Sequence, residues 1–136
     1  MSFLSIIIPV YNEEKYIGHL IYKILKEMGK LNYKYEIIIV NDGSTDNTEK
    51  ILNKFKNKVK IFHKENEGKG SAVKLGIHQS NGEYILIQDG DLEYNPKDYG
   101  KMLNKVKDSY VVIGSRTLNL SKKLIYIQCK YGILYI

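Results

Sequence analysis

Short apolar segments alternate with segments of helical spacing along this 136-residue chain, and this alternation limits the folds open to it. The first apolar segment, residues 3–10, is rich in isoleucine and carries a proline near its end. Runs of this length and composition are typical of strands buried on both faces of a parallel sheet. Similar runs predict further strands at residues 35–40, 59–62, 84–87 and 110–113.

Helices are predicted between these strands. A helical repeat of apolar residues begins at Ile17, and Asn12 is its candidate N-cap. Asp46 with Glu49 predicts the start of a second helix, and Pro96 predicts the first residue of a later one. Alternating strands and helices predict an α/β fold of the Rossmann-like kind, with a mainly parallel sheet and helices on both faces.

Composition narrows the class of protein. The charge of +6 favours anionic partners such as nucleotides or phospholipid headgroups, although a lysine-rich solvated surface gives the same number. The single cysteine, Cys129, excludes an internal disulfide and fits a reducing compartment, so a cytoplasmic location is expected. The N-terminus lacks the basic region of a signal peptide, and no apolar stretch approaches the roughly 20 residues that cross a bilayer.

We predict one domain at residues 1–117 and an uncertain tail at residues 118–136. In the tail, Leu124, Ile127, Tyr131 and Leu134 recur at helical spacing. This spacing predicts an amphipathic helix, which either lies on a membrane surface or has lost the partners that would cover it. A third alternative is that the tail is the product of a truncated or frameshifted reading frame.

Polar residues follow each of the first four predicted strands. In parallel sheets of this class, ligands bind beyond the carboxyl ends of the strands. Asp89 and Asp91 flank Gly90 directly after the fourth strand, where two carboxylates on a tight turn can face one hard cation. The alternative is an ordinary surface turn, but the position after a fully apolar strand favours the cation site.

Four other residues at this edge are candidates for ligand binding. Asp42 follows the second strand, where it accepts hydrogen bonds from a base or ribose, or serves only as a turn residue. Lys69 lies between two glycines before a helix and Arg116 follows the fifth strand. Both offer charge to a phosphate or are solvated surface residues. Tyr11 lies in the first loop, where it can stack on a base.

Five segments of the chain, residues 5–13, 40–46, 66–70, 88–94 and 113–116, occur in the same order in family 2 glycosyltransferases. The chain resembles the branch that contains dolichyl-phosphate mannose synthase and polyprenyl-phosphate glucosyltransferases. The resemblance covers residues 3–117 and implies the glycosyltransferase-A (GT-A) fold, which agrees with the alternation of strands and helices. One departure is Gly90, because that branch usually has alanine there.

The resemblance implies a role for each matched residue in the nucleotide pocket. Pro9, Tyr11 and Glu13 would line the pocket, Asp42 would read the base, and Gln88 would lie beside the metal site.

The resemblance also implies the reacting groups. Asp89 and Asp91 would form the Asp-x-Asp site for Mg²⁺ or Mn²⁺ and the donor's diphosphate, and Arg116 would contact the diphosphate or the acceptor phosphate. These three residues are the predicted catalytic group, and Lys69 joins the nucleotide-binding residues on the argument given above.

The expected reaction is transfer of a hexose, with inversion, from a nucleoside diphosphate sugar of the GDP-mannose or UDP-glucose type. The expected acceptor is a polyprenyl or dolichyl phosphate, met at the cytoplasmic face of a membrane. Such a phosphate is already ionised at neutral pH and needs no general base.

Two alternatives remain from the sequence. The first is a non-catalytic remnant that binds the donor and lacks the acceptor half. The second is a receiver-like phosphoacceptor domain, which is disfavoured because the third predicted strand ends in Phe62 and His63 and not in an aspartate. No nucleic-acid recognition motif is present in the sequence, so no nucleic acid partner is expected.

Overall fold

The computed structural model of the chain describes residues 3–106, 111–113 and 126–129. In chain order they form β1 (Phe3–Val10), α1 (Ile17–Met28), β2 (Lys34–Asp42), α2 (Thr48–Asn53), β3 (Lys60–Lys64), α3 (Lys69–Gln79), β4 (Tyr84–Ile87), a 3-10 turn (Pro96–Asp98), α4 (Tyr99–Val106), β5 (Val111–Ile113) and β6 (Tyr126–Cys129). The predicted alternation of strands and helices is confirmed. Within the described ranges, no helix is long and apolar enough to cross a membrane.

The described strands form one sheet in the order β3-β2-β1-β4-β6-β5. β1 pairs in parallel with β2 and β4, and β2 pairs in parallel with β3, so the predicted mainly parallel sheet is confirmed. Because these four strands run the same way, their carboxyl ends at Val10, Asp42, Lys64 and Ile87 lie along one edge of the sheet.

The tail contributes a strand between β4 and β5. Tyr126–Cys129 pairs antiparallel with both neighbours, so the predicted helix is wrong for these four residues. A strand edge left open at β4 would present unpaired backbone groups, and pairing with β6 satisfies them. The other residues of the predicted tail, and Arg116, lie outside the described residues.

Helices cover both faces of the sheet, as predicted. On one face, α1, α2 and α4 pack against alternate residues of β1, including Leu4, Ile6 and Ile8, which are fully buried. On the other face, Ala72 of α3 packs against Ile38 and Val40 of β2. Burial of one such aliphatic side chain stabilises a fold by about 1.5–3 kcal/mol, so the two layers fix β1 and β2 at the centre of the molecule.

A buried carboxylate joins three segments at the amino edge of the sheet, opposite the edge formed by the carboxyl ends of the strands. Glu36 of β2 accepts hydrogen bonds from Ser5 Oγ at 2.6 Å, from Lys60 Nζ at 2.6 Å and from the Asn81 N–H at 2.7 Å. Desolvation alone would raise the pKa of this carboxyl. The three hydrogen bonds and the Lys60 charge outweigh it, so the Glu36 pKa is lowered from its ordinary value of 4.5.

This shift predicts a pH-dependent contribution to stability. A carboxyl whose pKa is lower in the folded state stabilises the fold above its unfolded pKa, and that contribution is lost as the pH falls through the folded value. We expect Glu36→Gln to lower the free energy of unfolding by about 1–2 kcal/mol at pH 7. Urea unfolding at pH 7 and at several values below 4.5 would check this, because the wild-type and variant curves should converge in acid. A difference independent of pH would contradict the assignment.

Candidate functional site

The loops after β1 and β2, at the carboxyl edge of the sheet, are joined through Asn12. We call these the first and second loops, and the loop after β3 the third. Its side-chain Oδ1 accepts a hydrogen bond from the Thr45 N–H at 2.7 Å, and its own N–H donates to Ser44 Oγ at 3.0 Å. Asn12 has φ of 51°, a left-handed conformation that asparagine tolerates better than most residues. The prediction that Asn12 caps α1 is therefore wrong. The helix begins at Ile17 behind Tyr16, which makes no side-chain capping hydrogen bond.

Further hydrogen bonds make one unit of these two loops. The Glu13 N–H donates to Thr48 Oγ1 at 2.9 Å, and the Glu14 N–H donates to Asp46 Oδ2 at 3.2 Å. Asp46 Oδ1 accepts from the Thr48 N–H at 2.9 Å, so Asp46 satisfies the first amide of α2 as predicted, although the N-cap residue of the helix is Asn47 and not Asp46. In return, Glu14 Oε2 accepts from the Asn47 N–H at 2.8 Å. The loop that carries Tyr11 and Glu13 is thereby held at fixed geometry.

Asp42 is buried at the end of β2, and both of its oxygens accept hydrogen bonds from the third loop. Oδ1 accepts from Lys64 Nζ at 2.9 Å and from the Glu67 N–H at 3.1 Å, and Oδ2 accepts from the Gly68 N–H at 2.9 Å. Desolvation raises the pKa of this carboxyl, but these bonds and the Lys64 charge outweigh it and lower the Asp42 pKa. Asp42 thus anchors the loop before α3, a function that the sequence did not reveal.

Gly43 allows the second and third loops to touch. It has φ of 72°, and a Cβ there would lie 2.8 Å from the backbone nitrogen of Asn66. Only glycine combines this left-handed conformation with so close an approach to another backbone. The loops after β1, β2 and β3 therefore form a continuous rim.

Gln88 supports the turn after β4 from the protein interior. The residue is 1% exposed, and its Oε1 accepts a hydrogen bond from the hydroxyl of buried Tyr99 at 2.7 Å. Burial raises the pKa of the Tyr99 phenol, so the hydroxyl stays protonated as the donor. Gln88 Nε2 donates to the Asp89 carbonyl at 3.1 Å. Gln88 lies beside the aspartate pair, as the resemblance implied, and Tyr99 is a supporting residue that sequence reasoning missed.

Acidic side chains from two loops meet at the Asp89–Gly90–Asp91 turn. A Cβ at Gly90 would lie 3.2 Å from Glu13 Cγ and 3.4 Å from the Pro9 carbonyl oxygen, so the first loop packs directly on this turn. Asp91 Oδ1 accepts from the Glu93 N–H at 3.0 Å. Desolvation and then the charges of Asp91, Asp46 and Asp89 raise the pKa of Glu13. Negative charge therefore accumulates at this point of the rim.

Lys69, the first residue of α3, forms an ion pair with Asp89 through its Nζ and the carboxylate Oδ1. The two side chains are 62% and 28% exposed, so the pair is solvated. Tyr11 is 48% exposed, so its ring is accessible from solvent. The structure thus gathers Pro9, Glu13, Lys69, Gln88, Asp89 and Asp91 around one turn, and Asp42 supports the neighbouring loop.

Residues 5–131 match the family described as Glycosyl transferase family 2. The chain belongs to this family. The undecaprenyl-phosphate 4-deoxy-4-formamido-L-arabinose transferase of Proteus mirabilis is 33% identical over 85% of this chain and 37% of its own length. The dolichyl-phosphate beta-glucosyltransferase of Trichomonas vaginalis is 30% identical over 91% of this chain and 42% of its own length. The chain therefore spans about two fifths of the length of these two relatives.

Solved structures confirm the GT-A fold of this family 2 chain. The TarS protein of S. aureus, residues 1–349, superimposes with a TM-score of 0.62 at 29% identity, over 83% of this chain and 34% of that one. The same protein in complex with UDP-GlcNAc gives a TM-score of 0.60 at 28% identity, covering 83% and 33%. Glucosyl-3-phosphoglycerate synthase of Mycobacterium tuberculosis shares the fold, with a TM-score of 0.63 at 21% identity over 77% of this chain and 39% of that one.

Proposed function

We propose that this chain is the donor-binding part of a glycosyltransferase that transfers a hexose from a nucleoside diphosphate sugar to a polyprenyl phosphate. The observation that carries the proposal is the Asp89–Gly90–Asp91 turn at the carboxyl end of β4, with Glu13 and Lys69 against it. Membership of family 2 and the shared fold support the same reading.

Asp89 and Asp91 fit a hard divalent cation whose remaining coordination positions are filled by the donor. Within the described part of the chain, no group of three or more histidine, cysteine or acidic side chains could enclose a metal ion. Mg²⁺ commonly takes only one or two protein carboxylates and fills its other positions with substrate phosphates and water. Two aspartates separated by a single glycine suit that arrangement. When bound there, Mg²⁺ or Mn²⁺ offsets the charge that develops on the departing diphosphate.

The other residues of the rim bind and orient the donor. Tyr11 stacks on the nucleobase through its exposed ring, and Pro9 and Glu13 line the nucleotide pocket. Asp42, besides anchoring the third loop, remains our candidate for base recognition, since a carboxylate has about four acceptor positions. Gln88 orients the aspartate turn from within.

Positive charge for the diphosphate comes from Lys69 in the described part of the chain. Lys69 approaches it from the start of α3, which also directs backbone N–H groups and a partial positive charge towards an anion. Arg116 stays a prediction for the diphosphate or the acceptor phosphate. A divalent ion at the aspartate turn would supply the further positive charge that a diphosphate requires.

The relatives support a uridine diphosphate donor and a lipid phosphate acceptor. TarS has been solved with UDP-GlcNAc and with UDP, and both relatives named above are polyprenyl-phosphate sugar transferases by name. A phosphate acceptor with a second pKa near 6 is ionised at neutral pH and attacks the anomeric carbon directly, with inversion. The acceptor would be met at the cytoplasmic face of a membrane, which stays a prediction.

Calorimetric titration of the chain with UDP-glucose, UDP-GlcNAc and GDP-mannose, each with and without Mn²⁺, tests the proposal. We expect one uridine diphosphate sugar to bind only with the metal. Asp91→Asn should raise its dissociation constant at least tenfold, because removing one ligand charge costs the cation a strong contact.

Glu49→Gln is the matched control, since it removes one negative charge from an exposed position in the first turn of α2. It should leave donor binding unchanged. Binding without transfer to undecaprenyl phosphate in vesicles would assign the chain as a non-catalytic donor-binding protein. If none of the three donors binds, with or without Mn²⁺, the result would contradict the proposal.

A further inference from the structure

Lys69 and a divalent cation cannot both be satisfied at Asp89. The Lys69 ammonium is paired with Asp89 Oδ1, on one of the two carboxylates assigned above to the metal. An ammonium and a divalent ion a few ångströms apart repel each other, even where both are in contact with water. The ion pair and a cation bound at Asp89 are therefore alternative, mutually exclusive states of this carboxylate.

Separating this ion pair costs little. The side chain of Lys69 is 62% exposed and that of Asp89 is 28% exposed, and solvated pairs of this kind contribute little to stability. Lys69 is also the first residue of α3, behind Gly68 and before Gly70, and a Cβ at either glycine would meet nothing within 4 Å. Because most of its side chain is exposed to solvent, Lys69 has open space in which to turn away from the carboxylate.

We propose that Lys69 is an exchangeable counter-ion. It neutralises Asp89 while the cation is absent, and the arriving metal displaces it towards the donor's diphosphate. This inference rests on the proposed function and adds an order to it: the metal binds Asp89 first and releases Lys69, and the freed ammonium then strengthens binding of the diphosphate. The exchange also keeps the rim from carrying an uncompensated cluster of carboxylates before the ligands arrive.

One substitution should then move two affinities in opposite directions. Lys69→Met removes the ammonium and keeps an unbranched side chain with good helix propensity. Without nucleotide, the variant should bind Mn²⁺ about two- to fivefold more tightly, because a competing cation is gone. With saturating Mn²⁺, it should bind UDP at least about fivefold more weakly, because the diphosphate loses a charged contact.

The measurements are calorimetry or electron paramagnetic resonance for Mn²⁺ and calorimetry for UDP. Lys74→Met is the control, since Lys74 is exposed on the same helix about 7.5 Å further along its axis. Lys74→Met should change the affinities for Mn²⁺ and UDP only by the small amount expected from removing one distant charge. The gain in Mn²⁺ affinity in Lys69→Met should also shrink at high salt, where the ion pair is screened.

Three results would overturn the inference. Unchanged Mn²⁺ affinity in Lys69→Met would mean that the ion pair does not compete with the metal. Weaker binding of both ligands would mean that Lys69 positions Asp89 for the cation. Metal-independent binding of UDP that Lys69→Met abolishes would mean that the ammonium replaces the cation altogether. Failure of the wild-type chain to bind any of the nucleoside diphosphate donors even with Mn²⁺ would instead contradict the proposed function, so the two failures are distinguishable.

Discussion

Gly82→Ala is expected to lower the free energy of unfolding by about 3 kcal/mol or more. A Cβ at this position would lie 2.5 Å from the backbone nitrogen of Ser5, 2.6 Å from Ser5 Oγ and 2.8 Å from the Tyr84 carbonyl oxygen. Two of these atoms belong to the backbone of β1 and β4, so no side-chain rotation relieves the overlap. The shift would also break the 2.8 Å hydrogen bond from the Gly82 N–H to Ser5 Oγ, a buried contact.

Urea unfolding followed by circular dichroism measures this effect, and Gly70→Ala is its control. Gly70 is the second residue of α3, and a Cβ there would meet nothing within 4 Å. The same chemical change at Gly70 should leave stability unchanged or raise it by up to about 1 kcal/mol. A Gly82→Ala protein within about 0.5 kcal/mol of wild type would show that the amino edge of the sheet adjusts more freely than its packing indicates.

Asp42→Asn is expected to destabilise the fold by about 2–4 kcal/mol and to release the third loop. The amide would place an NH₂ group against Lys64 Nζ or against one of the N–H groups of Glu67 and Gly68, all of which are donors. Lys64, whose side chain is 14% exposed, would keep its charge without its buried partner. Amide hydrogen exchange at Glu67 and Gly68 should accelerate well beyond the change in global stability.

Glu65→Gln provides the comparison for Asp42→Asn. Glu65 lies in the same loop and is exposed, so its substitution removes the same charge without touching the buried hydrogen bonds. It should leave both urea unfolding and amide exchange close to wild type. If Asp42→Asn instead weakened nucleotide binding with no change in loop exchange, base recognition would be the main role of Asp42 and anchoring a minor one.

The anchoring of the loops has a consequence for binding. The loops after β1 and β2 are tied by hydrogen bonds through Asn12 and Glu14, and the loop after β3 is tied to β2 by Asp42. A donor that binds to such a rim does not have to order it first, which lowers the entropic cost of binding. The exposed elements left to adjust are side chains such as Tyr11 and Lys69.

The sequence by itself determined the class of fold and predicted the edge of the sheet at which a ligand site would lie. Isoleucine-rich runs such as Phe3–Val10 are stable in the interior of a parallel sheet that is covered on both faces. The polar residues that follow such strands must then lie together at the carboxyl edge of the sheet. Asp89 and Asp91 were predicted as a cation site in this way, because they directly follow the apolar strand β4 in the sequence. Local capping was also readable, as for Asp46.

Only the tertiary structure decided which partners these residues have. The hydrogen bonds of Asn12, Glu13 and Glu14 join residues 32 to 35 positions apart, and no local pattern specifies such pairs. The same holds for Asp42 with Gly68 and for the strand β6, which is set by the open edge of β4 and not by the helical spacing of its own residues. Sequence periodicity encodes which face of an element is buried, whereas polar contacts depend on how the elements assemble.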